Sequence, residues 1–204
     1  MNNSLFGTAL ILAGGLSSRM GFDKRLIKID GVSMINHAIC ELSEHFKEII
    51  VADNTFGYEF HGDCRVIHVK DIIQNGGPLS GVHCGLSKAS SEFVYIIACD
   101  MPNINMEYIF YMENLIKGLS TGVSACVTRY GDWIEPFNSF YSKNLIEMLE
   151  KAILSGRRQI YKLLEKTDCV YIDEAKARIY SEDWSMFENL NTREELGFFR
   201  NRVL

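Results

Sequence analysis

The chain lacks the features that mark a zinc ribbon, a secreted protein or a membrane protein. Its six cysteines include no CxxC pair, which argues against a zinc ribbon and against a thioredoxin-like redox site. The first four residues carry no basic side chain and the first apolar run stops at Gly14, so no signal peptide is indicated. No stretch approaches the roughly 20 apolar residues of a membrane span. We therefore expect a cytoplasmic protein with reduced, mostly buried thiols.

A surplus of positive charge is also missing. The 204 residues contain 21 Lys and Arg against 26 Asp and Glu, a net charge of −5. General binding of nucleic acid usually needs a basic face, so this composition argues against it. The two tryptophans are too few to predict a base-stacking platform. The segment 19–28, however, carries four basic residues and one acid, so the composition still permits a local site for an anionic ligand.

Several common motifs are absent as well. No Walker A sequence and no G-x-G-x-x-G fingerprint occurs. The five histidines have no metal-ligand spacing, so surface or satisfied core positions are the better interpretation. No linker rich in Pro, Gly or Ser divides the chain, and no internal repeat is visible. We therefore predict a single domain over residues 1–204.

Short apolar runs alternate with segments of helical spacing. This alternation is typical of an α/β protein whose strands are joined by helical crossovers. Ligand sites of parallel sheets lie beyond the carboxyl ends of the strands. The predicted strands are 8–13, 47–52, 65–69, 93–99, 124–128, 137–141 and 169–172. The predicted helices are 33–46, 79–89, 106–119, 144–155, 158–166 and 192–199.

The first strand runs directly into the thirteen-residue string LAGGLSSRMGFDK at 12–24. Gly14 and Gly15 let the backbone approach a ligand without a Cβ clash, and backbone N–H groups in such a loop can bind phosphate oxygens. Arg19 suits a bidentate phosphate contact and Lys24 a point charge. The string therefore predicts a phosphate-binding loop, although Gly-Gly alone would more often be a plain turn.

Two further strand ends carry candidate site residues. Asp71 follows the third strand and precedes the segment 76–81 (GGPLSG), where Pro78 begins a helix. A simple helix entry is the alternative there. Asp100 follows the fourth strand and can hold Mg²⁺, which takes one or two carboxylates plus substrate phosphates. The alternative for Asp100 is a cap on the helix that starts near Asn105.

The string at 12–24 closely resembles the L-A-G-G-x-S-x-R-M-G-x-D-K signature of the MobA-like nucleotidyltransferases, with every fixed position present. The best-known members are molybdenum cofactor guanylyltransferases. Asp71 with the GPLSG box, and the C-D-x-P pattern at 99–102, are similar to further family motifs. The resemblance implies a Rossmann-like three-layer α/β fold with a mostly parallel central sheet, as in nucleotide-diphospho-sugar transferases. It also implies a nucleotide-binding half at about 1–128 and an acceptor-binding half at about 129–204.

Residue roles follow from the same resemblance. It implies that Arg19, Lys24 and Asp100 are catalytic and that Asp100 binds the metal. The nucleotide contacts it implies are Leu12, Ala13, Gly14, Gly15, Lys24, Asn54, Asp71, Gly77, Pro78 and Asp100. The acceptor contacts it implies, from a G-x-R-type element and an N-L-N-T ending, are Arg157, Asn189 and Asn191. The chain departs from the family at Arg193, where proline is usual, and this affects helix initiation rather than chemistry.

The expected activity is transfer of GMP from GTP to the phosphate of molybdopterin with its metal bound. The products are the guanine dinucleotide cofactor and pyrophosphate, Mg²⁺ is the expected cofactor, and a cofactor-delivery protein is a possible partner. No activated Ser, Cys or His nucleophile is visible, and none is needed when the acceptor is already an anion. One alternative is a related nucleotidyltransferase that uses CTP or another acceptor such as a sugar 1-phosphate. Another is a non-catalytic nucleotide-binding regulator.

Overall fold

A computed structural model of the chain describes residues 4–14, 28–29, 31–53, 64–73, 76–119 and 122–190. The regular elements of these residues follow in chain order. They are β1 (Thr8–Leu12), β2 (Lys28–Ile29), β3 (Val32–Ser33), α1 (Met34–Ser43), β4 (Glu48–Ala52), β5 (Arg65–Val69), α2 (Pro78–Lys88), β6 (Phe93–Ala98), α3 (Met106–Lys117), β7 (Ala125–Tyr130), β8 (Trp133–Ser142), α4 (Ile146–Leu154), α5 (Ile160–Leu164), β9 (Cys169–Asp173) and α6 (Glu174–Ala177).

Seven strands form the central sheet in the order β5-β4-β1-β6-β8-β7-β9. Six of them run in one direction, and β8 is antiparallel to both of its neighbours. β1 lies at the centre, with Leu12 paired to Ala52 on one side and to Ala98 on the other. Every residue of β1 and β4 is buried, as the continuous apolar runs of a sheet covered on both faces require. The predicted mostly parallel sheet is confirmed.

Helices cover both faces of the sheet. Ala9 and Ile11 of β1 point into a core formed with α1, α3 and α6. Leu10 and Leu12 point the other way, into a core formed with α2, α4 and α5. Successive side chains of a strand alternate between its faces, so one strand serves both cores. The predicted three-layer arrangement is therefore confirmed.

Helix α2 packs unusually close to the sheet because two of its residues have no side chain. A Cβ added at Gly85 would lie 2.4 to 2.9 Å from side-chain atoms of Leu10, and one at Gly81 would lie 2.9 Å from the Leu12 side chain. The helix axis can approach the strands only while these positions are glycine. This packing brings the first turn of α2, at Pro78, to the carboxyl edge of the sheet.

The structure differs from the sequence predictions at several elements. β8 spans Trp133–Ser142 rather than 137–141, because a tight hairpin at Gly131, with φ of +55°, joins it directly to β7. α1 ends at Ser43 rather than at 46. The β2–β3 hairpin and α6 were not predicted, because two-residue strands and a four-residue helix leave little periodicity. The predicted helix at 192–199 lies outside the described residues.

The prediction of mostly buried thiols is wrong. Cys84 and Cys126 are buried, but the other four are not: Cys64, Cys99 and Cys169 are half-buried and Cys40 is exposed. Among the helices that the structure describes, none combines the length and the hydropathy that crossing a bilayer would require.

Candidate active site

The carboxyl ends of β4, β1 and β6 meet at one edge of the sheet. The backbone N–H groups of Ala13 and Gly14 both donate to the Ala52 carbonyl, at 3.0 and 3.1 Å, and the Cys99 N–H donates to the Leu12 carbonyl at 3.0 Å. These bonds continue the sheet one residue beyond the strands. The predicted nucleotide contacts Leu12, Ala13 and Gly14 therefore lie in the middle of this edge.

Within the described residues, packing does not require a glycine at position 14. A Cβ added there would lie 3.7 Å from the Ala52 carbonyl oxygen, an ordinary van der Waals distance, and the residue has no positive φ. A glycine that the fold does not need is a place where a ligand can approach the backbone. The remaining loop residues of the predicted site, Gly15, Arg19 and Lys24, lie outside the described residues, as does Asn54.

The segment after β5 is tied to α2 by side-chain hydrogen bonds. The Ser80 hydroxyl donates to the Ile73 carbonyl at 2.6 Å and accepts from the Gly76 N–H at 3.1 Å. The Cys84 thiol donates to the Lys70 carbonyl at 2.8 Å. Asp71 lies inside this fastened segment, and its negative charge adds to burial in raising the pKa of Cys84 to about 11. Asp71 is therefore held beside α2.

Gly77 forms the entry to α2 and has a conformation that favours glycine. Its φ is +60°, it occupies the N-cap position without a side-chain cap, and Pro78 follows at the first helical position. The backbone N–H groups of this first turn have no side-chain oxygen from the N-cap residue. Because such groups carry the positive end of the helix dipole, the entry is suited to an anionic ligand.

Asp100 lies two residues beyond β6 at the same edge and is half-buried. It does not cap the following helix, because the Asn105 side chain does so by accepting from the Tyr108 N–H at 2.9 Å. The helix-cap alternative for Asp100 is therefore wrong. The Leu190 N–H donates to the Asp100 carbonyl at 2.8 Å, which brings the predicted acceptor contact Asn189 beside it. Asn191 lies outside the described residues.

The predicted acceptor contact Arg157 lies in the later part of the chain, in the turn between α4 and α5. It follows α4, with its N–H donating to the Ala152 carbonyl at 3.0 Å, and its side chain is exposed. Ile153 packs against the start of α2 so closely that a Cβ on Gly76 would lie 2.8 Å from it. Arg157 itself lies four residues beyond Ile153, and no contact between described residues joins its side chain to the glycine turn or to Asp100. It lines a cavity of about 290 Å³ that also includes Lys151 and Lys166.

The β7–β8 hairpin adds residues that the sequence analysis did not assign. β7 runs in the same direction as β6, so the hairpin lies at the carboxyl edge, and β8 returns from it beside β6. Glu135 is half-buried on this strand. Burial raises the pKa of its carboxyl group, and hydrogen bonding from the indole N–H groups of Trp133 and Trp184 offsets part of that rise. An acid and a proline inside a run of apolar residues were the available signal. The partnership with Trp184 was not readable, because it exists only in the folded chain.

A nucleotide-binding α/β protein is the class that this fold and this edge define. The family model described as "MobA-like NTP transferase domain" matches residues 9–170, and the chain belongs to that family. The resemblance of the glycine string to this family is thereby confirmed.

Named relatives cover almost the whole chain. A molybdenum cofactor guanylyltransferase from Syntrophotalea carbinolica is 44% identical over 97% of this chain and 92% of its own. A protein named probable molybdenum cofactor guanylyltransferase from Peptoclostridium acidaminophilum is 48% identical over 94% of this chain and 87% of its own. The crystal structure of molybdopterin-guanine dinucleotide biosynthesis protein A from Archaeoglobus fulgidus superposes with a TM-score of 0.79 at 23% identity, covering 96% of this chain and 98% of that one. This last likeness concerns the fold.

Proposed function

We propose that the protein is a molybdenum cofactor guanylyltransferase, which transfers GMP from GTP to the phosphate of molybdopterin carrying its metal. Gly14 and Asp100 each lie two residues beyond the carboxyl end of adjacent strands, β1 and β6, and this placement at one edge of the sheet carries the proposal. Relatives at 44 to 48% identity with that activity in their names support it. Both halves of the chain contribute to the site, about 1–128 for the nucleotide and about 129–204 for the acceptor.

The reaction requires no nucleophile from the protein. An oxygen of the molybdopterin phosphate forms a bond to the α-phosphorus of GTP, and the bond from that phosphorus to the bridging oxygen of the β-phosphate breaks. Pyrophosphate leaves with that bridging oxygen, and the dinucleotide remains. Because the attacking group is already an anion at neutral pH, the protein contributes positioning and stabilisation of charge.

Each part of the edge has a role in this reaction. The guanine and ribose lie against the backbone of Leu12, Ala13 and Gly14. Asn54 lies near the guanine and Asp71 helps to hold the nucleoside, while Gly15, Gly77 and Pro78 complete the nucleotide contacts. Arg19 and Lys24 neutralise the triphosphate, whose charge grows on the leaving pyrophosphate in the transition state.

The residues at the edge fit a Mg²⁺ ion shared with the nucleotide. The described residues contain no group of three His, Cys, Asp or Glu side chains that could hold a metal by themselves. Mg²⁺ at phosphate sites commonly takes only one or two carboxylates and completes its shell with phosphate oxygens and water. Asp100 would hold the ion, and the bound ion would neutralise the departing pyrophosphate.

The acceptor lies on the far side of Asp100 from the nucleoside. The predicted acceptor contacts are Arg157, Asn189 and Asn191. We propose in addition that the protein works in the cytoplasm and that a cofactor-delivery protein exchanges the reactive pterin with it directly.

Pyrophosphate release tests the activity and the choice of base together. The protein is assayed with GTP and with CTP in parallel, each with and without molybdopterin and with Mg²⁺ present. We expect release only with GTP and molybdopterin together. Release with CTP alone would overturn the assignment of the base, and no release under any condition would favour a nucleotide-binding regulator.

Two substitutions test the assigned residues. Lys24→Ala and Asp100→Ala should each lower turnover by about two orders of magnitude or more, since each removes charge stabilisation of the transition state. Asp168→Ala is the matched control, because Asp168 is exposed just before β9 at the opposite edge of the sheet. Circular dichroism and thermal unfolding should be unchanged in all three. Near-normal turnover in the Lys24 and Asp100 variants would refute their assignment.

A further inference from the structure

Glu135 lies on β8, the strand next to β6, and pairs with Thr128 close to the β7–β8 hairpin. β8 is antiparallel to β6, with Ser139 paired to Ile96 and Phe140 paired to Tyr95. Moving from Ile96 toward Asp100 therefore corresponds to moving from Ser139 back toward Glu135. Both carboxylates thus belong to the carboxyl edge, one on β8 and one just beyond β6.

One segment of backbone joins the two positions. The Asn103 side chain donates to the Ser185 carbonyl at 3.0 Å, and the Asn138 side chain donates to the Met186 carbonyl at 3.2 Å. The same segment ends at Leu190, whose N–H donates to the Asp100 carbonyl at 2.8 Å. Residues 184–190 therefore bridge the strand that carries Glu135 and the loop that carries Asp100.

The Glu135 carboxylate is a desolvated acceptor with neutral partners. Burial raises its pKa, while the indole N–H groups of Trp133 and Trp184 act in the opposite direction. None of the ion pairs formed within the described residues includes Glu135. A carboxylate can accept about four hydrogen bonds, so two indole donors leave room for a planar donor pair from a ligand.

Backbone strain surrounds the same carboxylate. In the described residues, Asn138 and Trp184 are the two non-glycine positions with positive φ, at 55° and 65°. A bulky residue such as tryptophan rarely adopts this conformation. Strain of this kind concentrates at functional sites, where the surrounding structure holds it in place. Trp184 is one of the two residues whose indole N–H groups oppose the rise in the pKa of Glu135.

The strand order places Glu135 on the acceptor side of the reaction. The predicted nucleoside contacts belong to β1, β4, β5 and the start of α2, and Asp100 follows β6. β8 lies on the opposite side of β6 from β1. A planar group that meets Glu135 is therefore on the far side of Asp100 from the guanine, where the acceptor has to be.

We infer that Glu135 binds the pterin ring of the acceptor by accepting hydrogen bonds from its ring N–H and its 2-amino group. Trp133, which is 52% exposed and packs against Tyr161 at 5.8 Å between ring centroids, offers an aromatic face beside this carboxylate. This inference rests on the proposed function, because it takes the acceptor to be a pterin. It adds a specificity-determining residue on β8 to the acceptor contacts in the later part of the chain.

Steady-state kinetics of Glu135→Gln tests the assignment. The amide keeps the size of the side chain but turns an NH₂ group toward the donors of the pterin. We expect KM for molybdopterin to rise about tenfold or more while KM for GTP stays within twofold, as for loss of a hydrogen bond to a charged group. Glu150→Gln, an exposed position on α4, is the matched control and should behave like the wild-type protein. An unchanged KM for molybdopterin in Glu135→Gln would overturn the inference.

Tryptophan fluorescence provides a binding measurement that needs no turnover. The chain has two tryptophans, and both act on Glu135. Titration with pterin should quench their emission, and lumazine, which has a carbonyl in place of the 2-amino group, should bind at least tenfold more weakly. Glu135→Gln should remove this discrimination, and Glu150→Gln should keep it.

The two measurements separate this inference from the proposed function. Discrimination between pterin and lumazine without pyrophosphate release from GTP would contradict the proposed activity and leave the Glu135 assignment standing. Release of pyrophosphate together with equal binding of both pteridines would support the proposed activity and contradict the Glu135 assignment.

Discussion

Two glycines next to β1 have opposite structural roles. At Gly85 a side chain would collide with Leu10, so this glycine is required by the distance between α2 and the sheet. At Gly14 a side chain meets no described residue closer than 3.7 Å, so packing against these residues tolerates one. The sequence shows both only as glycine, and the packing around each one decides between a structural and a ligand-binding role.

Alanine at each glycine should separate stability from nucleotide binding. Gly85→Ala overpacks the contact with Leu10 and should lower the free energy of unfolding by about 1–3 kcal/mol. Gly14→Ala should leave unfolding unchanged and raise KM for GTP several-fold, because a methyl group then lies where the nucleotide approaches. Urea denaturation and initial rates of pyrophosphate release measure the two effects. A stable Gly85→Ala protein, or a Gly14→Ala protein with normal KM for GTP, would contradict this division.

At the scale of single elements, β8 is the strand that departs most from a regular ladder. It pairs regularly with β6, but its register with β7 shifts between Cys126 and Thr128. Asn138 lies in this irregular stretch with φ of +55° and is fully buried. Its side chain accepts from the Tyr95 hydroxyl at 2.8 Å and donates to the Met186 carbonyl. The irregularity therefore connects the centre of the sheet to the segment that carries Asn189.

The stability of Asn138 variants should depend on the backbone conformation at this position as well as on the hydrogen bonds that are lost. Asn138→Ala leaves the Tyr95 hydroxyl buried without its partner and keeps the unfavourable φ, so we expect a loss of about 2–4 kcal/mol. Asn138→Gly loses the same bonds but tolerates positive φ, and should be about 1 kcal/mol more stable than the alanine variant. Asn144→Ala, an exposed position, is the control. Equal stability of the alanine and glycine variants in denaturant unfolding would argue against backbone strain at this position.

At the scale of the whole molecule, the cysteines differ in how deeply they are buried and therefore in how reactive their thiols are. Cys84 and Cys126 are buried on α2 and β7, and burial is the main cause that raises their pKa values to about 11 and about 12. Cys40 is exposed on α1. Because the thiolate is the reactive form, a buried thiol with a raised pKa stays neutral and inert at pH 8.

Thiol modification should therefore proceed in distinct phases. With an aromatic disulfide reagent at pH 8 and in excess, the fastest phase should correspond to Cys40, and Cys40→Ser should remove it. At pH 8, Cys84 and Cys126 should react at a measurable rate only when denaturant unfolds the protein. The native-state rate at these two thiols should rise with pH toward 11, since their thiolate fractions increase over that range. Rapid labelling of Cys84 in the folded protein, located by peptide mass spectrometry, would contradict the packing of α2.

The sequence by itself determined the sheet and the position of its functional edge. Apolar runs of five or six residues separated by helical segments predict buried parallel strands, and this information is local to each segment. The strand ends then indicate Gly14, Asp71 and Asp100, because parallel strands end at one edge. The family membership likewise follows from a contiguous string of residues. Boundaries were less predictable, as for the end of α1 and the start of β8.

Only the tertiary structure decided which polar residues share that edge. It excluded Asp100 as a helix cap, because Asn105 fills that role through its own side chain. It brought Leu190 to Asp100 and Trp184 to Glu135, pairs that are far apart along the chain. The physical reason is that a local pattern encodes burial and periodicity, whereas a hydrogen bond between distant residues depends on the packing of every element between them. The division of the chain into nucleotide and acceptor halves remains a prediction that mutagenesis of Asp71 and Arg157 can address.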